Sequence, residues 1–348
     1  MPHFIKNRLQ SAAKTSKGNL SEVNLFREMM RVFRRYYNAT VILNETHQKL
    51  VDFDTHDPHT GTIIRYKTKE ISDLHIITYS PSRCIVRETF LQAKVARGNN
   101  GLQSNGIFKF QGDWFQYDLL SRRPLIFPPH KGSIFIGSYY HELLLNAVLP
   151  SIGSYGVFYK DSNNLVDFAY QPANLLKLVR MPSKYKGEFN MVSVNTPFRM
   201  PLGIPDLYYT TSVDFFETAI IHNLVGSPLT LSIRYNDIPH WWHWYDDLFY
   251  FLHRNKKNTR GQIEEVFSGI EKFREFIYKN REVFIQDGEE HSETLKRYNQ
   301  LNDLVPHDKD DFNGIAGEQI NRNIENDYSD ICRGPISLVL IDTDKCLK

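Results

Sequence analysis

Apolar and polar positions along this chain follow two rhythms. In "NLSEVNLFREMMRVFRRYYN" the residues Val23, Phe26, Met29, Met30, Phe33 and Tyr37 recur every three or four positions, the period of one helix face. An amphipathic helix is predicted there, capped by Ser21 or Asn19. Beyond it come short strand-like runs, "ATVILNE" and "KLVDFD", and at least one more strand within "GTIIRYKTKEISDLHIITYS". After turn residues at Pro81 to Arg83, "CIVRETFLQAKVA" resumes as a strand of unusual length. "DWFQYDLLSR" then reads as a helix that ends before Pro124. A helix, hairpin-connected strands and a second helix predict an α/β or α+β core.

The second half is less regular. "SIFIGSYYHELLLNAVLP" can hold a helix, "YGVFYK" and "LVDFAY" are strand-like, and Asp214 to Leu224 reads as helical. "LTLSIRY" follows as a strand, then the aromatic stretch "HWWHWYDDLFYFLHR" and a charged helix from Arg260 to about Val283. Asn299 to Asp330 is polar and acidic, and "PISLVLIDTD" is an apolar strand. Neither internal repeats nor low-complexity blocks interrupt this order.

Composition narrows the class without naming a partner. With 348 residues the chain has ample length for a core, and a formal net charge of +2 selects no particular ligand. The charge is unevenly spread, however: nine Lys/Arg stand against three Asp/Glu between Met1 and Val51, whereas Asp287 to Asp330 is rich in acids. A basic N-terminal face or a solvated helix face accounts for this equally well, and Arg27, Arg31, Arg34 and Arg35 carry the same two readings: phosphate contacts or an ordinary solvated surface. Cys84, Cys332 and Cys346 lack metal-ligand spacing and are too few for a disulfide framework. No apolar run reaches the roughly 18 residues that span a bilayer, and the first residues lack the apolar core of a signal peptide, so a soluble cytoplasmic protein is expected, with no membrane partner.

Candidate chemistry begins with "ETFLQAKVAR", where Gln92 and Lys94 interrupt an otherwise apolar strand. A lysine there must snorkel to water or meet a counter-charge, because a buried unpaired ammonium costs several kcal/mol. If "DLHIITYS" and "CIVRETFLQAK" pair around the turn, facing residues have numbers summing to about 164 or 165, which puts Asp73 opposite Leu91 or Gln92. Gln92 and Lys94 share a face. A carboxylate, an amide and an ammonium then converge. Mg2+ or Mn2+ takes hard oxygen donors, which Asp73, the Gln92 amide and the Ala93 main-chain carbonyl can supply. Lys94 can position or deprotonate the attacking water and stabilise charge on a phosphate.

"SDLHIITYSPSRCIVRETFLQAK" resembles the paired motifs of the PD-(D/E)XK nuclease superfamily, in the variant with Gln in place of the second acid. The resemblance, over residues 15 to 125, implies a restriction-endonuclease-like mixed central sheet flanked by helices. It assigns the metal-binding aspartate to Asp73 and the QxK tripeptide to Gln92, Ala93 and Lys94. Many members also place a glutamate in the preceding helix; Glu22, seven residues before Met29, lies on the inward face, and Glu28 does not. Two departures stand out: Ser72 occupies the place of the proline that names the superfamily, and Gln92 brings no charge.

Residues 15–150 are thus expected to form a nuclease core and 151–348 an α+β extension, packed on the core, that regulates it or recognises a partner. The resemblance implies a Mg2+-dependent endodeoxyribonuclease, with a role in bacterial antiviral defence, a regulatory protein partner, and assembly as a homo-oligomer or hetero-complex. An RNA-directed enzyme is a variant of this reading. A non-catalytic interaction module that keeps the nuclease fold is the alternative.

Other residues invite weaker readings. Glu88 shares the strand face of Lys94 but lies about 20 Å from it, too far to share a metal, and an arginine partner is expected. Gln116 is read as an exposed helix residue, with reach toward the site as the second reading. His240, His243 and Asp246 recur every three positions in "PHWWHWYDD", yet core packing explains them better than zinc, because a further ligand with firm spacing is lacking. The phosphate-binding GxxxxGK[ST], G-x-S-x-G and HExxH patterns are absent from the sequence.

Overall fold

A computed structural model describes residues 3–15, 21–42, 50–96, 107–127, 143–145, 147–161, 163–192, 198–199, 205–206, 212–229, 263–280 and 337–346. Several sequence readings lie outside the described residues: "LTLSIRY" past Leu229, His240, His243 and Asp246, the segment Asn299 to Asp330, Cys332, and most of "SIFIGSYYHELLLNAVLP".

The chain opens with two packed helices, α1 (Phe4–Thr15) and α2 (Glu22–Tyr36). Ser21 caps α2, its hydroxyl accepting from the Asn24 amide, and supplies an acceptor for an otherwise orphan N–H. The buried stripe of α2 is Leu25, Met29, Met30, Val32 and Phe33, while Val23 is 53% exposed. The stripe therefore runs through Leu25 and Val32, and Val23, expected to face inward, faces out. Glu22, one turn before Leu25, remains on the packed side. Helix α1 was not anticipated from the sequence; Ile5 and Leu9 anchor it to the core.

Next come β1 (Thr40–Ile42), the hairpin β2 (Leu50–His56) and β3 (Ile63–Glu70), the hairpin β4 (Leu74–Ser80) and β5 (Ile85–Val95), then β6 (Ile107–Asp113) and helix α3 (Trp114–Arg122). Strands β7 (Gly153–Lys160), β8 (Val166–Pro172), β9 (Lys177–Ser183) and β10 (Lys186–Val192) follow, with two-residue strands β11 (Phe198–Arg199) and β12 (Pro205–Asp206). Helix α4 (Val213–Ile221), the short β13 (Ser227–Pro228), α5 (Ile263–Lys279), β14 (Ser337–Asp342) and the single turn α6 (Thr343–Cys346) complete the described elements.

A seven-stranded mixed sheet in the order β1-β14-β4-β5-β7-β8 is the centre of the molecule, with β13 added to β5. β14 runs parallel to β4, β4 antiparallel to β5, and β5 parallel to β7. Both faces are covered, which is why its strands read as nearly continuous apolar runs. In β14, Val339 and Ile341 meet the layer of α1, α2 and α4, whereas Leu338 and Leu340 meet the layer of α3, α5 and the small sheet β6-β10-β9. A β5–α3–β7 crossover joins parallel neighbours, the connection such pairs require. It is tight: a Cβ on Gly153, the first residue of β7, would collide with the Leu120 carbonyl of α3.

One expectation changes here. β1 does not join a hairpin with β2; it pairs with β14 from the far end of the described chain. Strands from both sides of residue 150 share the central sheet. Among the described residues, no helix is long and apolar enough to cross a membrane.

Candidate active site

The β4–β5 hairpin turns at Pro81 to Cys84, where Cys84 takes the left-handed conformation at φ 53°. Its register runs from Ser80 opposite Ile85 to Leu74 opposite Leu91, so Asp73, one residue earlier, falls opposite Gln92. β5 continues past the start of β4. Among the described residues its backbone there lacks a strand partner on that side, and the Asp73 carboxylate takes the place: the Ala93 amide donates to Asp73 Oδ2 at 2.7 Å, and Gln92 Nε2 donates to the same oxygen. Asp73 thus ends the ladder as a side-chain substitute for a backbone carbonyl.

Lys94 closes the cluster. Its Nζ lies 3.3 Å from Glu22 Oε1 and 4.0 Å from Asp73 Oδ2, and donates to the Ala93 carbonyl at 2.6 Å. The ammonium has two counter-charges and a carbonyl, so it does not merely snorkel. The structure therefore brings together Asp73, Gln92, Ala93, Lys94 and Glu22, drawn from three elements at one end of the sheet.

Burial raises the Asp73 carboxyl to about 6, against the lowering effects of Lys94 and the Ala93 amide. A second acid enters here that the sequence did not single out. Glu70, at the end of β3, is raised to about 7 by burial and by the Asp73 charge, with Lys94 and Lys69 opposing. Its signal was its place in "KEISD", three residues ahead of Asp73.

The donor set decides what the site can hold. Among the described residues, no group of three or more His, Cys, Asp and Glu side chains could hold a metal ion. The oxygens gathered here are of mixed type: the Asp73 carboxylate, the Gln92 amide, the Ala93 carbonyl and, through Lys94, Glu22. Gln92 is 4% exposed, and its Oε1 is buried without a hydrogen-bond partner among the described residues. A buried acceptor left unpaired costs about 1–3 kcal/mol, and a hard cation beside Asp73 would satisfy it once the amide turned its oxygen, in place of Nε2, toward that carboxylate. Mg2+ or Mn2+ fits these donors.

Neighbouring residues support the frame. Gln116 is not exposed as expected: it is buried on α3, its amide donates to the Ile71 carbonyl at 3.1 Å, and Asp113 caps its helix by accepting from the Gln116 N–H. It fixes the β3–β4 connection that carries Asp73. Ser72, in the place of the superfamily's proline, donates to the Leu74 carbonyl at 3.0 Å. Glu88 pairs with buried His75, at 2.9 Å. Glu28 turns away to Arg8 and Arg31.

No protein-family model, no curated protein and no solved structure matches this chain.

Proposed function

We propose that this chain is a metal-dependent nuclease that hydrolyses DNA phosphodiester bonds, built on a restriction-endonuclease-like core of α2, β4, β5, α3 and β7. What supports the reading above all is the convergence of Asp73, Gln92 and Lys94 across the β4–β5 hairpin, with Glu22 joining from α2. Asp73, the Gln92 amide oxygen, the Ala93 carbonyl and Glu22 would hold Mg2+ or Mn2+. When bound, such a cation polarises a phosphodiester and lowers the pKa of an attacking water. Lys94 orients that water or donates to a phosphate oxygen, stabilising charge that grows in the transition state. Glu70 exchanges a proton near neutral pH beside Asp73. Incubating the full chain with supercoiled plasmid and Mg2+ or Mn2+ tests the assignment: nicking that chelation stops, and that Asp73→Asn lacks, is the expected result. Cleavage of RNA with DNA left intact would move the substrate and keep the mechanism.

One observation favours a second reading. The Gln92 amide is neutral, and three acidic or imidazole side chains do not converge on a metal position among the described residues. A non-catalytic interaction module that retains the nuclease scaffold would need no more than this. Intact plasmid at every metal concentration selects that reading.

A further inference from the structure

Two residues paired in register on adjacent strands each carry a buried polar atom left unsatisfied among the described residues. Gln92 on β5 stands in register with Tyr155 on β7, and register partners in a parallel pair project to the same face. Tyr155 is fully buried, its ring held against Phe110 with centroids 5.5 Å apart. Among the described residues, neither the Tyr155 hydroxyl nor Gln92 Oε1 has a hydrogen-bond partner, and they do not bond to one another. A buried tyrosine normally finds a partner for its hydroxyl. The Gln92 amide is meanwhile drawn the other way, donating Nε2 to Asp73.

That orientation suits a metal-free carboxylate and not a metal-bound one. An amide nitrogen has no lone pair to offer a hard cation; the oxygen must face it. We propose that Gln92 is a two-position amide latched by Tyr155: on cation binding at Asp73 the amide turns over, Oε1 faces the cation, and Nε2, released from the carboxylate, donates to the Tyr155 hydroxyl. This rests on the metal-site reading above. Both unsatisfied groups are then paired in one movement, so Tyr155 is a positioning residue that favours the loaded state over the empty one. It acts through Gln92 and touches no substrate.

Tyr155→Phe removes only the hydroxyl. In calorimetric titration of the full chain with Mn2+, the variant binds about five-fold more weakly than wild type, the loss of one net hydrogen bond. Its metal-free melting temperature stays at the wild-type value, because the hydroxyl has no partner in that state; a merely structural tyrosine would lower it. In 15N-labelled protein the Gln92 side-chain amide signals, identified by their absence in Gln92→Glu, shift on addition of Mg2+. Wild-type Mn2+ affinity in Tyr155→Phe, or unmoved amide signals in a protein that binds Mg2+, overturns the latch and leaves the metal site standing. Failure of the wild-type chain to bind Mn2+ overturns the metal site, and the latch with it.

Discussion

Replacing Lys94 separates catalysis from packing. Lys94→Met keeps a chain of similar length and removes the charge, whereas Lys94→Ala removes both. At 4.0 Å from Asp73 Oδ2, the ammonium contributes about 4 kcal/mol at an effective dielectric constant near 20, or about 2 kcal/mol once its partial exposure to water is allowed for. That is roughly 1.5 pKa units, so without Lys94 the Asp73 carboxyl, already at about 6, titrates above neutrality and is largely protonated at pH 7. The Met variant is therefore expected to lose plasmid cleavage at pH 7 and to melt close to wild type. The Ala variant also loses three methylenes from a side chain that is 20% exposed, about 2 kcal/mol of burial, and melts lower. Initial cleavage rates from pH 6 to 9 and melting curves for the two variants decide the matter. A Met variant that cleaves at the wild-type rate would refute the assignment of Lys94, and with it the nuclease reading at this site.

Two further outcomes follow from buried acids away from the site. Glu217 on α4, which accepts from Tyr37 and from the Ile5 amide, is raised by burial from its ordinary value of 4.5 to about 7. Its contribution to stability is fully present below pH 4.5 and lost as pH rises through 7, so from pH 5 to 8 the wild type should lose on the order of 3 kcal/mol more than Glu217→Gln. Urea midpoints at the two pH values check it, and equal losses in both proteins would exclude Glu217 as the titrating group. For the buried His75–Glu88 pair, Glu88→Ala should cost about 3 kcal/mol in urea unfolding, and Glu88→Gln, which keeps a hydrogen-bonding partner for His75, much less.

What the sequence disclosed was mostly local. The turn at Pro81 to Arg83 fixes an antiparallel register, so counting alone put Asp73 opposite Leu91 or Gln92, and the pairing of Leu74 with Leu91 selects Gln92. Glu22 was legible because helix periodicity fixes a face even when the exact stripe is misjudged, as it was at Val23. Pairings between distant segments leave no local trace. Insertion of β14 between β1 and β4 depends on two apolar runs that could have joined any sheet, and the diagonal approach of His75 to Glu88 depends on the twist of neighbouring strands. Strands β6, β9 and β10 were missed because their polar residues, Lys109, Arg180 and Glu188 among them, pair with one another on the surface of a small sheet and blur the alternation. Glu70 escaped notice because its acidity is set by neighbours rather than by its own spacing.

The place of β14 also sets the order in which this protein can be completed during synthesis. Leu74, next to Asp73, pairs with Ser337, about 260 residues downstream, and Asp344 accepts from Ser80 and from the Ser82 amide to hold the hairpin turn. While a ribosome is still translating the intervening chain, β4 has β5 on one flank and an open backbone edge on the other, a template for pairing with a stranger. Such distant contacts are slow to form, because the loop must close before they repay its entropy. A nascent or prematurely released polypeptide that stops short of Ser337 therefore presents the strand that follows Asp73 uncovered, and the site gains its full support only when nearly all of the described chain has emerged.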